Sequence, residues 1–253
     1  MNKQKKIICI IPARLDSVRF PRKVIAPLKG RPLLAWVWDA VTRCTLFDEV
    51  FFAIDSHESA AVIEDFGGRY VMTSPTCKSG TDRLVELCVS GKLTADIWVN
   101  WQGDEPFVNE SMVATLLQTS TQDDQDMWTL KKLITDPNDI HSSKIAKVVC
   151  DSRGQAIYFS RAPIPFFRDE HDPIKLVAKE TYYKHVGLYA YTASALNKIA
   201  VMGKSILEDA EKLEQLRFLE HGLRIQVHET THDVFGIDTP EDLLRAERRI
   251  ANV

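Results

Sequence analysis

The segment Ile7-Ile8-Cys9-Ile10-Ile11 is an unbroken apolar run of strand length, closed by Pro12 and followed by a loop that carries Arg14, Arg19, Arg22 and Lys23. An unbroken run has no face to give to water, unlike an alternating one, so it predicts a strand buried on both sides in a parallel sheet. Parallel strands need long crossovers, usually helical.

The chain downstream supplies them. After the loop Ala13–Gly30, the apolar positions Leu33, Leu34, Trp36, Val37, Ala40 and Val41 recur at helical spacing, with Pro32 at a first-turn position. Val50–Ile54 reads as a second strand running into Asp55, His57–Phe66 as a helix stopped by Gly67-Gly68, and Arg69–Met72 as a third strand. Ser79 is placed to cap a helix through Arg83, Leu84, Leu87 and Cys88, and Ile97–Asn100 is a fourth strand before the turn Gly103-Asp104-Glu105-Pro106. This alternation predicts an α/β fold with a doubly wound, mostly parallel sheet.

The rhythm then changes. Ile145–Cys150, Gln155–Ser160 and Tyr182–Tyr191 are strand-like pieces separated by the Pro-rich, charged stretch Ala162–Lys179, which reads as an inserted or edge substructure. A helix over Leu207–Glu220, a strand at Ile225–His228, the loop Phe235–Thr239 and an amphipathic helix from Pro240 complete the chain. The 253 residues suffice for one large α/β unit, so a single domain over 1–253 is expected, with the substructure at about 155–192.

Composition removes several function classes. With 45% apolar and 26% charged residues the chain is an ordinary globule, and a net charge of -3 supplies no general attraction for nucleic acid or an anionic membrane. The apolar run at Ile7 is too short for a signal segment or a membrane span. The five cysteines form no C-x-x-C pair and no metal-like spacing, as expected of reduced thiols in a cytoplasmic protein.

Three loops carry the chemistry. The first gathers four cations where ligands of open α/β sheets bind, outside the carboxyl ends of the strands, and forked guanidinium donors with a mobile ammonium suit a triphosphate. A solvated basic loop would have the same composition. Neither G-x-x-x-x-G-K-[ST] nor G-x-G-x-x-G is present, which argues against kinase and dehydrogenase cradles. In the second, Asp104 can offer oxygen to Mg²⁺ carrying substrate phosphates, or serve a plain turn. In the third, Thr239 and Asp242 have capping-box spacing around Pro240, which leaves Asp238 unexplained and available as a second metal ligand.

In this order and spacing the motifs resemble the 3-deoxy-manno-octulosonate cytidylyltransferases over essentially the whole chain. The resemblance is carried by Ile11-Pro12-Ala13-Arg14 with Ser17, Arg19, Pro21 and Lys23, by Ser79-Gly80-Thr81-Asp82-Arg83, and by Gln102-Gly103-Asp104-Glu105-Pro106. It continues in His185-Val186-Gly187-Leu188-Tyr189-Ala190-Tyr191, Leu213-Glu214-Gln215-Leu216-Arg217 and Asp238-Thr239-Pro240-Glu241-Asp242. It implies a nucleotide-diphospho-sugar transferase-like fold and a homodimer formed through the inserted substructure. It also implies CMP transfer from CTP to the acid sugar Kdo, with release of pyrophosphate, for lipopolysaccharide biosynthesis.

By the same resemblance Arg14, Ser17, Arg19 and Lys23 would hold the triphosphate, and Thr76, Cys77, Lys78, Ser79, Arg83 and Gln102 the rest of the nucleotide. Asp104 and Asp238 would bind magnesium. Gln102, Arg161, His185, Tyr189, Glu214 and Gln215 would hold the sugar. The chain departs from its relatives at Cys77 (often His), Arg22 (often Gly) and Trp101 (usually small and aliphatic). The 8-amino analogue of Kdo, another acid sugar, and a non-catalytic nucleotide-binding regulator are the alternatives to this function.

Overall fold

A computed structural model describes residues 5–15, 20–122 and 124–251; Ser17 and Arg19 lie outside the described residues. The element order is β1 (Ile7–Ala13), a 3-10 turn at Lys23–Ile25, β2 (Pro27–Leu28), β3 (Arg31–Pro32), α1 (Leu33–Thr42), β4 (Glu49–Ile54), α2 (His57–Asp65), β5 (Tyr70–Met72), α3 (Gly80–Val89), β6 (Ile97–Asn100) and α4 (Glu110–Leu117). There follow β7 (Met127–Leu133), α5 (Pro137–His141), β8 (Lys147–Cys150), β9 (Ala156–Ser160), α6 (Pro173–Val177), β10 (Tyr183–Thr192), α7 (Ala193–Ile199), α8 (Ile206–Glu211), α9 (Gln215–Glu220), β11 (Ile225–Glu229) and α10 (Pro240–Ala251). The chain divides into two compact units, one of residues 1–114 and 234–253, the other of residues 115–233.

In the first unit β6, β1, β4 and β5 lie side by side, all parallel. Ile8, Cys9, Ile10, Ile11 and Ala13 have no exposed surface, as the unbroken apolar run requires. Helices flank the sheet on both sides, so the expected α/β class is the one observed. The helix starts are chemically defined. Ser79 accepts from Asp82 N–H while Asp82 accepts from Ser79 N–H, a full capping box. Thr239 and Asp242 form a second one, with Asp242 N–H donating to Thr239 Oγ1 at 3.2 Å and Thr239 N–H to Asp242 Oδ2 at 3.1 Å. Ile237 and Ala246 pack with Leu28 and Leu33, so the returning segment is fixed to the β2–β3 hairpin and the start of α1.

The second unit is built on β10, antiparallel to β7, with β11 parallel to β7 on its far edge; β8 pairs with β10 and β9 with β8. Strand β7 was not foreseen, because its buried half, Met127–Leu130, runs into Lys131-Lys132 and lacks both alternation and an apolar run of full length. The helix expected over Leu207–Glu220 is two helices: Lys212 adopts φ 54°, ψ 45°, and the chain turns there before α9.

A partly buried polar cluster anchors β11. Gln118 Nε2 lies 2.6 Å from His228 Nδ1, His228 Nε2 lies 2.9 Å from Thr119 Oγ1, and Trp128 Nε1 donates to the same hydroxyl at 3.0 Å. With Gln118 donating to Nδ1, the neutral tautomer protonated at Nε2 satisfies every member. Burial pushes the His228 pKa down to about 4. The folded protein therefore resists a proton that the unfolded chain accepts below about pH 6.5. The urea midpoint should fall as pH drops from 6.5 towards 4, with this one group contributing a slope of up to about 1.4 kcal/mol per pH unit. His228→Gln should flatten that slope in urea titrations followed by fluorescence; an unchanged slope would refute the assignment.

Candidate active site

The carboxyl ends of β1, β4 and β6 deliver the functional groups of the first unit to one edge. Arg14 follows β1, Asp55 follows β4, and Gln102 to Asp104 follow β6. Arg14, Lys23, Lys78, Ser79, Arg83, Gln102, Asp104 and Asp238 line one cleft of about 270 Å³.

Lys23 is its electrostatic centre. The ammonium contacts Asp104 Oδ2 and donates to Asp238 Oδ1 at 2.8 Å, so residues 215 positions apart in sequence meet at one nitrogen. Burial works against the lysine's charge, but the Asp104 and Asp238 carboxylates outweigh it, and its pKa is held above the ordinary lysine value. The backbone ties the two acidic loops together, since Ile237 N–H donates to the Asp104 carbonyl at 3.0 Å. Glu105 lies beside them with Oε2 unpartnered. Burial first, and then repulsion from Asp104 and Asp238, pushes its carboxyl well above the usual range.

Trp101 now has a reason. It is fully buried and its indole donates to the Glu105 carbonyl at 3.0 Å, bracing the acidic turn from behind. Gly103 is as constrained: its N–H donates to the Pro12 carbonyl at 3.3 Å, and an added Cβ would lie 2.7 Å from that oxygen.

The basic loop is closed at its base by Arg22 N–H donating to Leu15 O at 3.1 Å. Arg22 has φ 60° and ψ 21°, the left-handed conformation that glycine adopts without penalty. A glycine would fit that backbone without strain, whereas here an arginine accepts it and its guanidinium pairs with Glu58.

Of the expected nucleotide residues, Arg14 donates to Lys78 O at 3.5 Å and so connects the basic loop with the start of α3. Arg83 is 1% exposed and donates to Asp55 Oδ2 and Thr73 Oγ1, each at 2.5 Å, so much of its fork is spent inside the fold. Thr76 and Cys77 do not line the cleft. Thr76 Oγ1 is 2.7 Å from Ser74 Oγ, and the Cys77 thiol donates to Glu86 Oε2 at 3.4 Å. Burial, then Glu86, raises that thiol to about 11, which keeps it neutral. Sequence reasoning missed Asp55 and Glu86 as partners of this segment; the signal for Asp55 was its place at the carboxyl end of a strand.

The expected sugar residues other than Gln102 belong to the second unit. The His185 and Tyr189 rings are 5.4 Å apart, and Phe159 meets His185 edge-on at 5.0 Å. His185 Nε2 is 3.0 Å from Thr129 Oγ1, and burial drives its pKa down to about 3, so it is a neutral hydrogen-bonding ring. Glu214 Oε1 accepts from Arg217 at 3.4 Å. Gln215 is 3% exposed with Nε2 unpartnered, an orphaned buried donor of the kind that ligand sites hold. Arg161 donates from Nε to Glu211 O at 2.7 Å, from Nη1 to Ser143 O at 2.8 Å and from Nη2 to Lys212 O at 3.3 Å.

A parallel α/β sheet with a basic loop and two acidic loops at its carboxyl edge suits nucleotide phosphates, and similarity to known proteins places the chain among the nucleotidyltransferases. The family model for cytidylyltransferases matches residues 8–225. A 3-deoxy-manno-octulosonate cytidylyltransferase of Pelobacter propionicus is 44% identical over 96% of this chain and 96% of its own length. One of Geotalea uraniireducens is 44% identical over 97% and 99%. A solved structure of CMP:2-keto-3-deoxy-manno-octonic acid synthetase complexed with CTP superposes with a TM-score of 0.89 at 36% identity, covering 98% of this chain and 99% of that one. The chain belongs to the 3-deoxy-manno-octulosonate cytidylyltransferase family.

The left-handed geometry at position 22 makes a test independent of chemistry. Arg22→Gly should leave the protein more stable than Arg22→Ala, by about 1 kcal/mol, although glycine removes more side chain. Thermal or urea unfolding of both variants measures the difference; a less stable glycine variant would contradict the assigned backbone conformation.

Proposed function

We propose that this protein transfers CMP from CTP to the anomeric hydroxyl of 3-deoxy-manno-octulosonate, releasing pyrophosphate. It would thereby supply an activated sugar to lipopolysaccharide assembly in the cytoplasm. The observation that carries the reading is the meeting of Lys23, Asp104 and Asp238 in a cleft whose wall holds Arg14. Relatives named for this reaction match over nearly the whole chain.

The residues fit a magnesium ion. Among the described residues no group of three or more His, Cys, Asp or Glu side chains forms an all-protein cage. Two carboxylates already bracketing a cation are the donor set of an ion that takes its remaining ligands from phosphate and water. Asp104 and Asp238 would hold it, and such an ion polarises phosphoryl oxygen and lowers the pKa of a bound hydroxyl.

The chain's own groups have separate tasks. The sugar C2 oxygen attacks the α-phosphorus in line, the bond to the β-phosphate oxygen breaks, and the hydroxyl proton passes to solvent. Arg14 and Lys23 offset the charge gathering on the departing pyrophosphate, and no covalent enzyme intermediate is needed. Gln215 and the neutral His185 offer hydrogen bonds to sugar hydroxyls, and Arg161 a cation for the sugar carboxylate. A homodimer fits the exposed Ile157, Phe166 and Ile174, all within the inserted substructure, which sedimentation would test.

Lys23→Ala and Asp104→Asn should each lower turnover on the order of 100-fold or more, with far-UV circular dichroism unchanged. Near-normal pyrophosphate release by either variant would remove these residues from the mechanism. The same assay run with Kdo, its 8-amino analogue and a nonulosonic acid, and with CTP against UTP, should favour CTP with Kdo. A higher kcat/KM for another pair would overturn the substrate assignment.

A further inference from the structure

Lys147, on β8 in the second unit, has no exposed surface. Its ammonium donates to the carbonyls of Ser142, Ile145 and Arg161, each at 2.8 Å. All three of its protons are thereby used on backbone oxygens. Burying a cation is costly, and a methionine would fill similar space without that penalty. What only an ammonium supplies is a three-point frame that fixes carbonyls relative to one another. Burial, followed by the charge of Arg161, pulls this lysine below its ordinary pKa.

The frame encloses Arg161 from two sides. One arm holds the Arg161 carbonyl itself, and the other two hold Ser142 and Ile145, which flank the Ser143 carbonyl that Arg161 Nη1 engages. Glu211 closes the far side: its carboxylate accepts from Arg161 N–H at 2.8 Å and from the Ser160 hydroxyl at 2.6 Å, and its carbonyl accepts from Arg161 Nε. Arg161 Nη2 then reaches Lys212 O, at the left-handed residue from which the chain enters Leu213-Glu214-Gln215. Three of the five guanidinium protons are committed, which aims the remaining two and sets where Glu214 and Gln215 begin.

We infer that Lys147 and Glu211 are positioning residues for the acid-sugar wall, acting through Arg161 to set the orientation of its guanidinium and the start of the Glu214–Gln215 segment. The inference rests on the proposed placing of Arg161, Glu214 and Gln215 at the sugar. Lys147 is fully buried with its three protons on backbone carbonyls, and the Glu211 carboxylate is engaged by Arg161 N–H and the Ser160 hydroxyl, so both are assigned a positioning and not a catalytic role.

The test is steady-state kinetics of the full-length enzyme with each substrate varied in turn. Lys147→Met and Glu211→Gln should each raise KM for Kdo about tenfold, while KM for CTP stays within about twofold. The double variant should cost less than the product of the two, because both side chains hold the backbone of the one residue Arg161. Glu211→Gln keeps shape and one acceptor, so it carries the test if Lys147→Met fails to fold. Equal rises in both KM values, or multiplicative effects in the double variant, would reduce the two residues to general scaffolding and overturn the inference. Arg161→Met separates the two levels. If it raises KM for Kdo while Lys147→Met and Glu211→Gln do not, the positioning role fails and the sugar site stands. If it leaves KM for Kdo unchanged, the sugar site fails and the inference with it.

Discussion

Strand β1 is hydrogen-bonded along both edges, to β4 and to β6, and is buried over almost its whole length. A strand so enclosed offers no polar side chain along its course, so anything it contributes to chemistry must leave from its carboxyl end. The neighbouring strands are parallel to it and end on the same side, and their loops inherit the same edge. The basic loop, Asp55 and the acidic turn after Asn100 are neighbours for this reason, although no local sequence pattern joins them.

Charge then organises what topology has collected. Two aspartates facing each other would repel, and a lysine in a half-buried cleft would lose hydration; placed together, each removes the other's difficulty. Their arrangement is held by neutral groups: the Trp101 indole on the Glu105 carbonyl, the Ile237 amide on the Asp104 carbonyl, and the capping box that starts α10. In the second unit the order is reversed. There the cations Lys147 and Arg161 spend themselves on backbone carbonyls, and the neutral His185 and Gln215 are left with hydrogen-bonding capacity.

Much of this was legible in the chain. The run Ile7–Ile11, the helical spacing from Leu33 and the strand before Gly103 each announce themselves through one period or one stop signal, and the structure places elements there. Asp238 was legible by elimination, because capping accounts for Thr239 and Asp242 but not for it. Strand β7 was not, since its burial depends on β10 and β11, which are distant in sequence. The break at Lys212 was invisible for a related reason: a left-handed lysine leaves no compositional mark, unlike a glycine. Arg83 and Cys77 show a further limit, because residue type predicts which bonds a side chain can make but not which partner, Asp55 or Glu86, reaches it first.

The contact of Gly103 with the Pro12 carbonyl has a meaning for how such an enzyme can change over time. The interval between the strand end that launches the basic loop and the strand end that presents Asp104 is set by backbone against backbone, where one added methyl group would collide. Side chains that line the cleft, such as Ser79 and Lys78, can be exchanged without moving that backbone contact, so the spacing of the charged groups does not depend on them. Substitution in the walls is therefore free to alter what they recognise while the distance across which charge is neutralised stays set by the backbone.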